Sequence, residues 1–210
     1  PARVPPAVEL VLGGTTRRWE IPHPTTDLES RPASTIALAL DARRGTIYDS
    51  LWKELRDATA AERTAAIATL RSLVGGEGTP RATHRSLTPE ELRRLAADPL
   101  IEVGAHTASH PRLGALPPAE QRREIDEGRR TLESLTGARV ASFAYPFGRA
   151  GDYTDQTMQL VRESGFARAC SNRTGRVDRS ADRFALPRLY VRDWDRDQFA
   201  AVLRQHGVHV

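Results

Sequence analysis

Cysteine is nearly absent from this chain: Cys170 stands alone among 210 residues. That excludes an intramolecular disulfide and any zinc site built on several thiolates, so a bound transition metal would need imidazole and carboxylate ligands. Lysine is as scarce, with Lys53 the single one among 31 Lys and Arg, which reads as a coding bias rather than chemistry. Against 27 acids the net charge is only +4, and aromatics make up 6%. The cations are scattered among acids instead of forming a stripe, so nucleic acid is not the expected partner. No apolar run approaches the roughly 18 to 20 residues of a bilayer span, and no charged-then-apolar leader opens the chain, so no membrane span is expected in it. The first residue is Pro1 rather than Met, as in a processed product, an excised domain or a fragment whose leader would lie upstream. Two adjacent aspartates occur nowhere.

What is present, 39% hydrophobic and 28% charged residues, suits a globular protein with one sizeable core or two small ones. Near the start, VELVLGGTTRRWEI sets two apolar runs around Gly13 and Gly14 and predicts a β-hairpin. TIALALDARRG is a strand or the start of a buried helix. The following stretch has helical spacing at Leu51, Leu55, Ile67 and Leu70 and stops at Gly75 and Gly76. Residues 1–85 therefore read as a hairpin and helical subregion without clustered chemistry. Residues 86–210 are organised differently. Thr88, Pro89 and Glu91 have the pattern of a capping box, and a short helix leads to a predicted strand LIEVGA that ends in His106. Ile125, Gly128, Leu132 and Leu135 share one helical face that stops at Gly137. Strands are predicted at VASFAYPFG, FARACS and FALPRLYV, with helices at about 155–164 and from about Asp195. Alternating strands and helices imply an α/β fold with a mostly parallel sheet, a barrel or an open sheet, whose reactive groups belong at the carboxyl ends of the strands.

His106 and His110 lie at such an end, inside IEVGAHTASHPRL. From spacing alone, such a pair in a loop is more often solvated or engaged in ordinary hydrogen bonds than bound to a metal. A helical turn would bring the two rings to one side, however, and neutral imidazole is a common zinc ligand. Thr107 and Ser109 are placed to orient the rings, Gly104 permits close backbone approach, and Pro111 ends the turn.

HTASHPRL with Gly104 before it, and FAYPFG some way downstream, resemble the second and third motifs of the polysaccharide deacetylases, the NodB-homology carbohydrate esterases. The resemblance runs from about Thr88 to Leu203 and takes in LPRL and RDW, and residues 1–85 resemble an insertion of longer members. It implies a (β/α) barrel that removes acetyl groups from a carbohydrate with one divalent metal, most commonly zinc. By the same resemblance His106 and His110 bind the metal, an Asp completes the ligands, and a neighbouring Asp is the base. The backbone N–H of Phe147 would hold the oxyanion, with Phe in place of the usual Tyr. Tyr145, Pro146, Gly148, Arg188, Asp193 and Trp194 are the candidate substrate contacts, the tryptophan by stacking on a sugar ring.

The departures are specific. The family's first motif, an apolar strand ending in Asp-Asp, is missing. Its nearest imitation is Asp41, read as a helix N-terminal or turn residue. A ligand and the base are thus not in the chain, which is expected to be the later, inactive portion of a longer deacetylase, its barrel incomplete at the N-terminal end. Ala144 stands where an Arg often orients the catalytic Asp. The last motif's histidine is not evident, since His206 and His209 fall in a polar tail. Cys170 is expected to be a small buried hydrophobe. The alternatives are a catalytically degenerate domain that binds sugar or metal without turnover and, further off, an unrelated α/β module with structural histidines. The expected partner is an acetylated polysaccharide or glycan precursor. Which glycan, N- or O-deacetylation, oligomeric state, and envelope or cytoplasmic location all stay open.

Overall fold

The structure, a computed structural model, describes residues 5–21, 33–73 and 85–208, with backbone alone for 33–44. The chain divides into two compact units, Pro1–Ser86 and Leu87–Val210.

In the first unit, β1 (Ala7–Leu12) pairs antiparallel with β2 (Thr15–Glu20), from Ala7 opposite Glu20 to Leu12 opposite Thr15. The predicted turn is present: Gly13 (φ 59°) and Gly14 (φ 71°) both occupy the left-handed region that a two-residue hairpin turn requires. The Gly13 N–H donates to Glu62 Oε1 at 2.7 Å. Two-residue alternation puts Val8, Leu10 and Leu12 on one face, where with Trp19 and Ala66 they form a buried cluster. Ile47, Leu51 and Leu55 of α1 (Ala33–Asp57) and Leu70 of α2 (Ala60–Leu73) pack on this cluster. The helical stretch is interrupted at Ala58 and Thr59. Thr59 Oγ1 accepts from the Glu62 N–H while Glu62 accepts from the Thr59 N–H, so the second helix starts from its own cap. Asp41 lies within α1, neither at a strand end nor at a turn or helix start. The predicted glycine stop falls outside the described residues.

The second unit begins with α3 (Pro89–Ala96), capped by the predicted box of Thr88 and Glu91. It continues with α4 (Pro118–Thr136), which ends on the left-handed Gly137, and β3 (Ser142–Ala144). Next come α5 (Asp155–Glu163), β4 (Arg168–Cys170) and α6 (Arg196–Gln205), the last capped by Asp195. β3 and β4 are parallel. Ala105 bridges Phe143 on one side and Leu186 bridges Cys170 on the other, both in parallel sense. Four passes of chain are thus laid side by side in sequence order.

The predicted strands at 100–106 and 184–191 shrink to these single bridges. At the first, Gly104 lies against the main chain of Ser142, where an added Cβ would sit 3.3 Å from the carbonyl oxygen, and Glu102 holds Ser142 and Arg168 through its side chain instead. At the second, Pro187 has no N–H to extend the ladder. Beneath the sheet Leu113, Ile125, Val140, Phe143, Val161, Phe166 and Ala169 form the core, each fully buried large side chain worth roughly 1.5 to 3 kcal/mol. Gln121 and Thr157 are buried with it and satisfy one another: Thr157 Oγ1 donates to Gln121 Oε1 at 2.7 Å, and Gln121 Nε2 donates to the Leu116 carbonyl. The fold is mixed α/β with small sheets, and no helix among the described residues is long and apolar enough to cross a membrane.

Candidate functional site

The carboxyl ends of the four passes gather His106, the turn from Tyr145 to Gly148, Ser171 with Asn172, and Arg188. His106 follows the bridging Ala105 directly, and its Nδ1 lies 2.7 Å from the Ala144 carbonyl oxygen. A carbonyl only accepts, so Nδ1 carries the proton and Nε2 keeps its lone pair. The His110 ring stands edge-on to it, centroids 4.7 Å apart, and the Phe147 ring meets His110 at 4.9 Å.

The loop holding these rings is strained. Thr107 (φ 66°), His110 (φ 58°) and Phe147 (φ 59°) are the three non-glycine residues with positive φ among those described. Such conformations cost of order 1 to 3 kcal/mol each and persist where the surroundings fix them. Here the fixing comes from α4. Glu124 accepts from the Ala108 N–H at 3.1 Å, from the Ser109 N–H at 2.8 Å and from the Ser109 hydroxyl at 2.8 Å. One turn on, Gly128 is buried so closely beneath the loop that a Cβ there would meet Thr107 main-chain atoms at 2.6 Å. Thr107 Oγ1 accepts from the His110 N–H at 3.0 Å. Thr107 and Ser109 therefore shape the loop's backbone, and the contact that sets the His106 ring comes from Ala144.

Burial of the inner part of the ring holds His106 below the usual imidazole value. The hydrogen bond to Ala144 works the other way, and the charges of His110 and Arg188 add to the lowering. The effect favours the neutral form, which is the form that can ligate a metal. Arg188 is thereby placed near His106, while its Nε donates to the Ser171 carbonyl at 2.7 Å rather than pairing with Asp193 or Asp195.

The other candidates divide. Tyr145 is buried, its ring stacked on Tyr153 at 4.1 Å and its hydroxyl donating to the Phe184 carbonyl; burial pushes its phenol well up. Pro146 and Gly148 are buried too, and a Cβ on Gly148 would meet the Asn172 nitrogen at 2.8 Å. These three build the turn and present no polar side chain to solvent. Cys170 is half-buried in β4. Asp193 and Trp194 line an open groove of about 930 Å³, together with Arg149, Asn172, Tyr190 and Arg192. His206 is half-buried at the end of α6 and lines the same groove, not a solvated tail; His209 lies outside the described residues. Sequence reasoning missed Glu124, Arg149 and Arg192.

The residues fit two places of a metal's ligand set, and among the described residues no group of three His, Cys, Asp or Glu is close enough to hold an ion. A protein of Bacillus subtilis (strain 168), YxkH, assigned by name to the polysaccharide deacetylases, is 25% identical over 105 residues, 50% of this chain and 36% of its own length. The crystal structure of BC0361, a polysaccharide deacetylase from Bacillus cereus, superposes with a TM-score of 0.50 at 19% identity, covering 67% of this chain and 47% of that one. BA0330 from Bacillus anthracis gives the same values. The chain thus spans between a third and a half of the length of these relatives, and the structural matches speak for the fold. The family model for polysaccharide deacetylase matches residues 30–169, two thirds of the sequence and both histidines, so the chain belongs to the polysaccharide deacetylase family.

Proposed function

We propose that this chain carries the histidine-bearing half of a metal-dependent carbohydrate deacetylase site. The observation that carries the reading is the pair His106 and His110, rings 4.7 Å apart at the carboxyl end of a parallel sheet, with the Ala144 carbonyl on Nδ1 leaving Nε2 for a ligand. His106 and His110 would hold one divalent cation, zinc by the softness of nitrogen donors. When bound, that ion would supply Lewis-acid activation of water and polarisation of the acetyl carbonyl. The chain's own residues prepare the place for it. The Ala144 carbonyl sets the His106 tautomer, Arg188 opposes its protonation, and Glu124 with Gly128 keeps His110 on the strained loop. The Phe147 amide is assigned the oxyanion, since its ring already lies against His110. The third ligand and the base are assigned to carboxylates beyond these residues, consistent with the incomplete donor set. On this reading the second unit is the later part of a deacetylase barrel, the first unit is an insertion, and the 210 residues alone are inactive.

The test is deacetylation of acetylated chito- and other oligosaccharides by the intact gene product with and without zinc. His106→Ala and His110→Ala should each abolish turnover and zinc retention after dialysis, and turnover kept by either variant would refute the assignment. The incomplete donor set also favours a second reading, a sugar- or metal-binding domain without turnover. Zinc retention with no acetate release from any substrate would decide for it.

A further inference from the structure

The groove beside the site has a charge and an aromatic lining that the deacetylation chemistry does not use. Two of its residues are tied to the turn that carries Phe147. Arg149 follows Gly148 directly, and the Asn172 N–H donates to the Gly148 carbonyl at 2.7 Å. The groove therefore adjoins the turn that carries Phe147. Its walls present two guanidiniums, Arg149 and Arg192, against one carboxylate, Asp193. Elsewhere in this unit Arg122 pairs with Glu163, Arg129 with Glu133 and Arg168 with Glu102, while other exposed arginines such as Arg94 and Arg123 make no ion pair among the described residues, so what sets Arg149 and Arg192 apart is that they line one groove. Arg149 and Arg192 make no ion pair among the described residues. The base of Arg149 is nonetheless fixed, since its backbone N–H donates to Asp152 Oδ2 at 2.9 Å and Asp152 is buried. The Arg192 guanidinium lies 5.9 Å from the centre of the Tyr190 ring. Tyr190 is 67% exposed and Trp194 half-buried, so both add aromatic surface to the groove.

Guanidinium forks recognise planar oxyanions, and aromatic faces accept the apolar faces of sugar rings. We infer that the groove binds a carbohydrate bearing anionic substituents, a carboxylate or a phosphate on the sugar, with Arg149 and Arg192 on the charge and Tyr190 and Trp194 on the rings. The inference deepens the deacetylase reading by giving its substrate a charge class, and it rests on that reading for the word carbohydrate. A neutral glycan would gain nothing from the two guanidiniums, whereas an anionic one would gain charge-assisted contacts with them.

Binding is measured without turnover, by titration calorimetry on the intact protein, with three probes of equal length: an oligouronate, a phosphate-bearing oligosaccharide and a neutral acetylated chitooligosaccharide. At least one acidic probe should bind about tenfold tighter than the neutral one, as expected for one or two charge-assisted contacts. Its affinity should fall as salt rises, and whichever acid binds identifies the anion. Arg149→Ala with Arg192→Ala should remove that advantage, and the same pair changed to Lys should restore part of it, with circular dichroism unchanged in both. Equal affinity for acidic and neutral probes, or an advantage that survives the double alanine variant, overturns the inference while leaving the carbohydrate reading intact. Failure of all three probes to bind a folded protein overturns both.

Discussion

In Pro1–Ser86 the described residues with positive φ are Gly13 and Gly14, whereas in Leu87–Val210 Thr107, His110 and Phe147 join the glycines. The buried polar side chains Gln121, Asp152, Thr157 and Ser171 all belong to the second unit as well. The first unit is an ordinary problem of covering a hairpin with helices, and its polar contacts are mostly exposed pairs such as Arg18 with Glu9 and Glu20, with Trp19 donating to Ser50 at its half-buried edge. The second spends conformational energy on three residues linked in series, Thr107 to His110 by a hydrogen bond and His110 to Phe147 by ring contact. The difference teaches that the histidine loop is held from below by a helix, not by its own preferences.

The contrast breaks most directly at the two cores. Ile125→Ala and Leu10→Ala each remove a buried side chain, at an expected cost of about 2 to 5 kcal/mol. Hydrogen exchange read segment by segment should show the first loosening only 87–210 and the second only 7–73. Loosening of both units by either variant would mean that they share one cooperative transition. Gly128→Ala comes next: its methyl meets main chain that cannot step aside, so a loss of about 3 kcal/mol and a clearly lower melting temperature are expected. An unchanged melt would show that the loop has room.

Glu124→Gln is milder. It keeps one carbonyl acceptor for the loop but gives up the charge, at about 1.5 kcal/mol, and should weaken zinc retention more than it lowers the melting temperature. Equal effects on both would reduce Glu124 to a stability contact. The smallest effect concerns pH. His106 titrates below its ordinary value of 6.5 in the folded chain, so the unfolded chain binds more protons between the two values. Stability contributed by this group is therefore full above about 6.5 and is lost as pH falls through that window. Proton NMR of the imidazoles should place His106 below 6.5, and a midpoint at or above it would remove the argument from burial.

Signals carried within a few residues were legible in the sequence: Gly13 and Gly14 as a turn, Thr88 to Glu91 as a cap, Gly137 as a stop. The two histidines do approach, but not through the helical turn that their spacing suggested: the rings meet on a loop with positive φ at Thr107 and His110. The strands at 100–106 and 184–191 were overread because apolar runs announce burial, not how many ladder bonds a neighbour will accept, and Ala105 and Leu186 accept one bridge each. Glu124 was invisible because it is one acid in QRREIDEGRR, on a helix whose charges ordinarily face water. Its partners lie 15 and 16 residues away. Its one hint was position, a helical turn before Gly128 on the same side. Asp41 was misplaced because an apolar run ending in a carboxylate looks alike in a strand and in a long helix.

The acceptor that sets the His106 ring is a main-chain oxygen, and Ala144 lends it whatever side chain it carries. An alanine scan through this turn would pass over the residue in silence, since every L-amino acid with the same φ and ψ would offer the same atom. Replacing the 144–145 amide with an ester would weaken that oxygen as an acceptor and remove the Tyr145 N–H that donates to Cys170. Part of the site is thus written in the backbone and can drift in sequence without drifting in geometry.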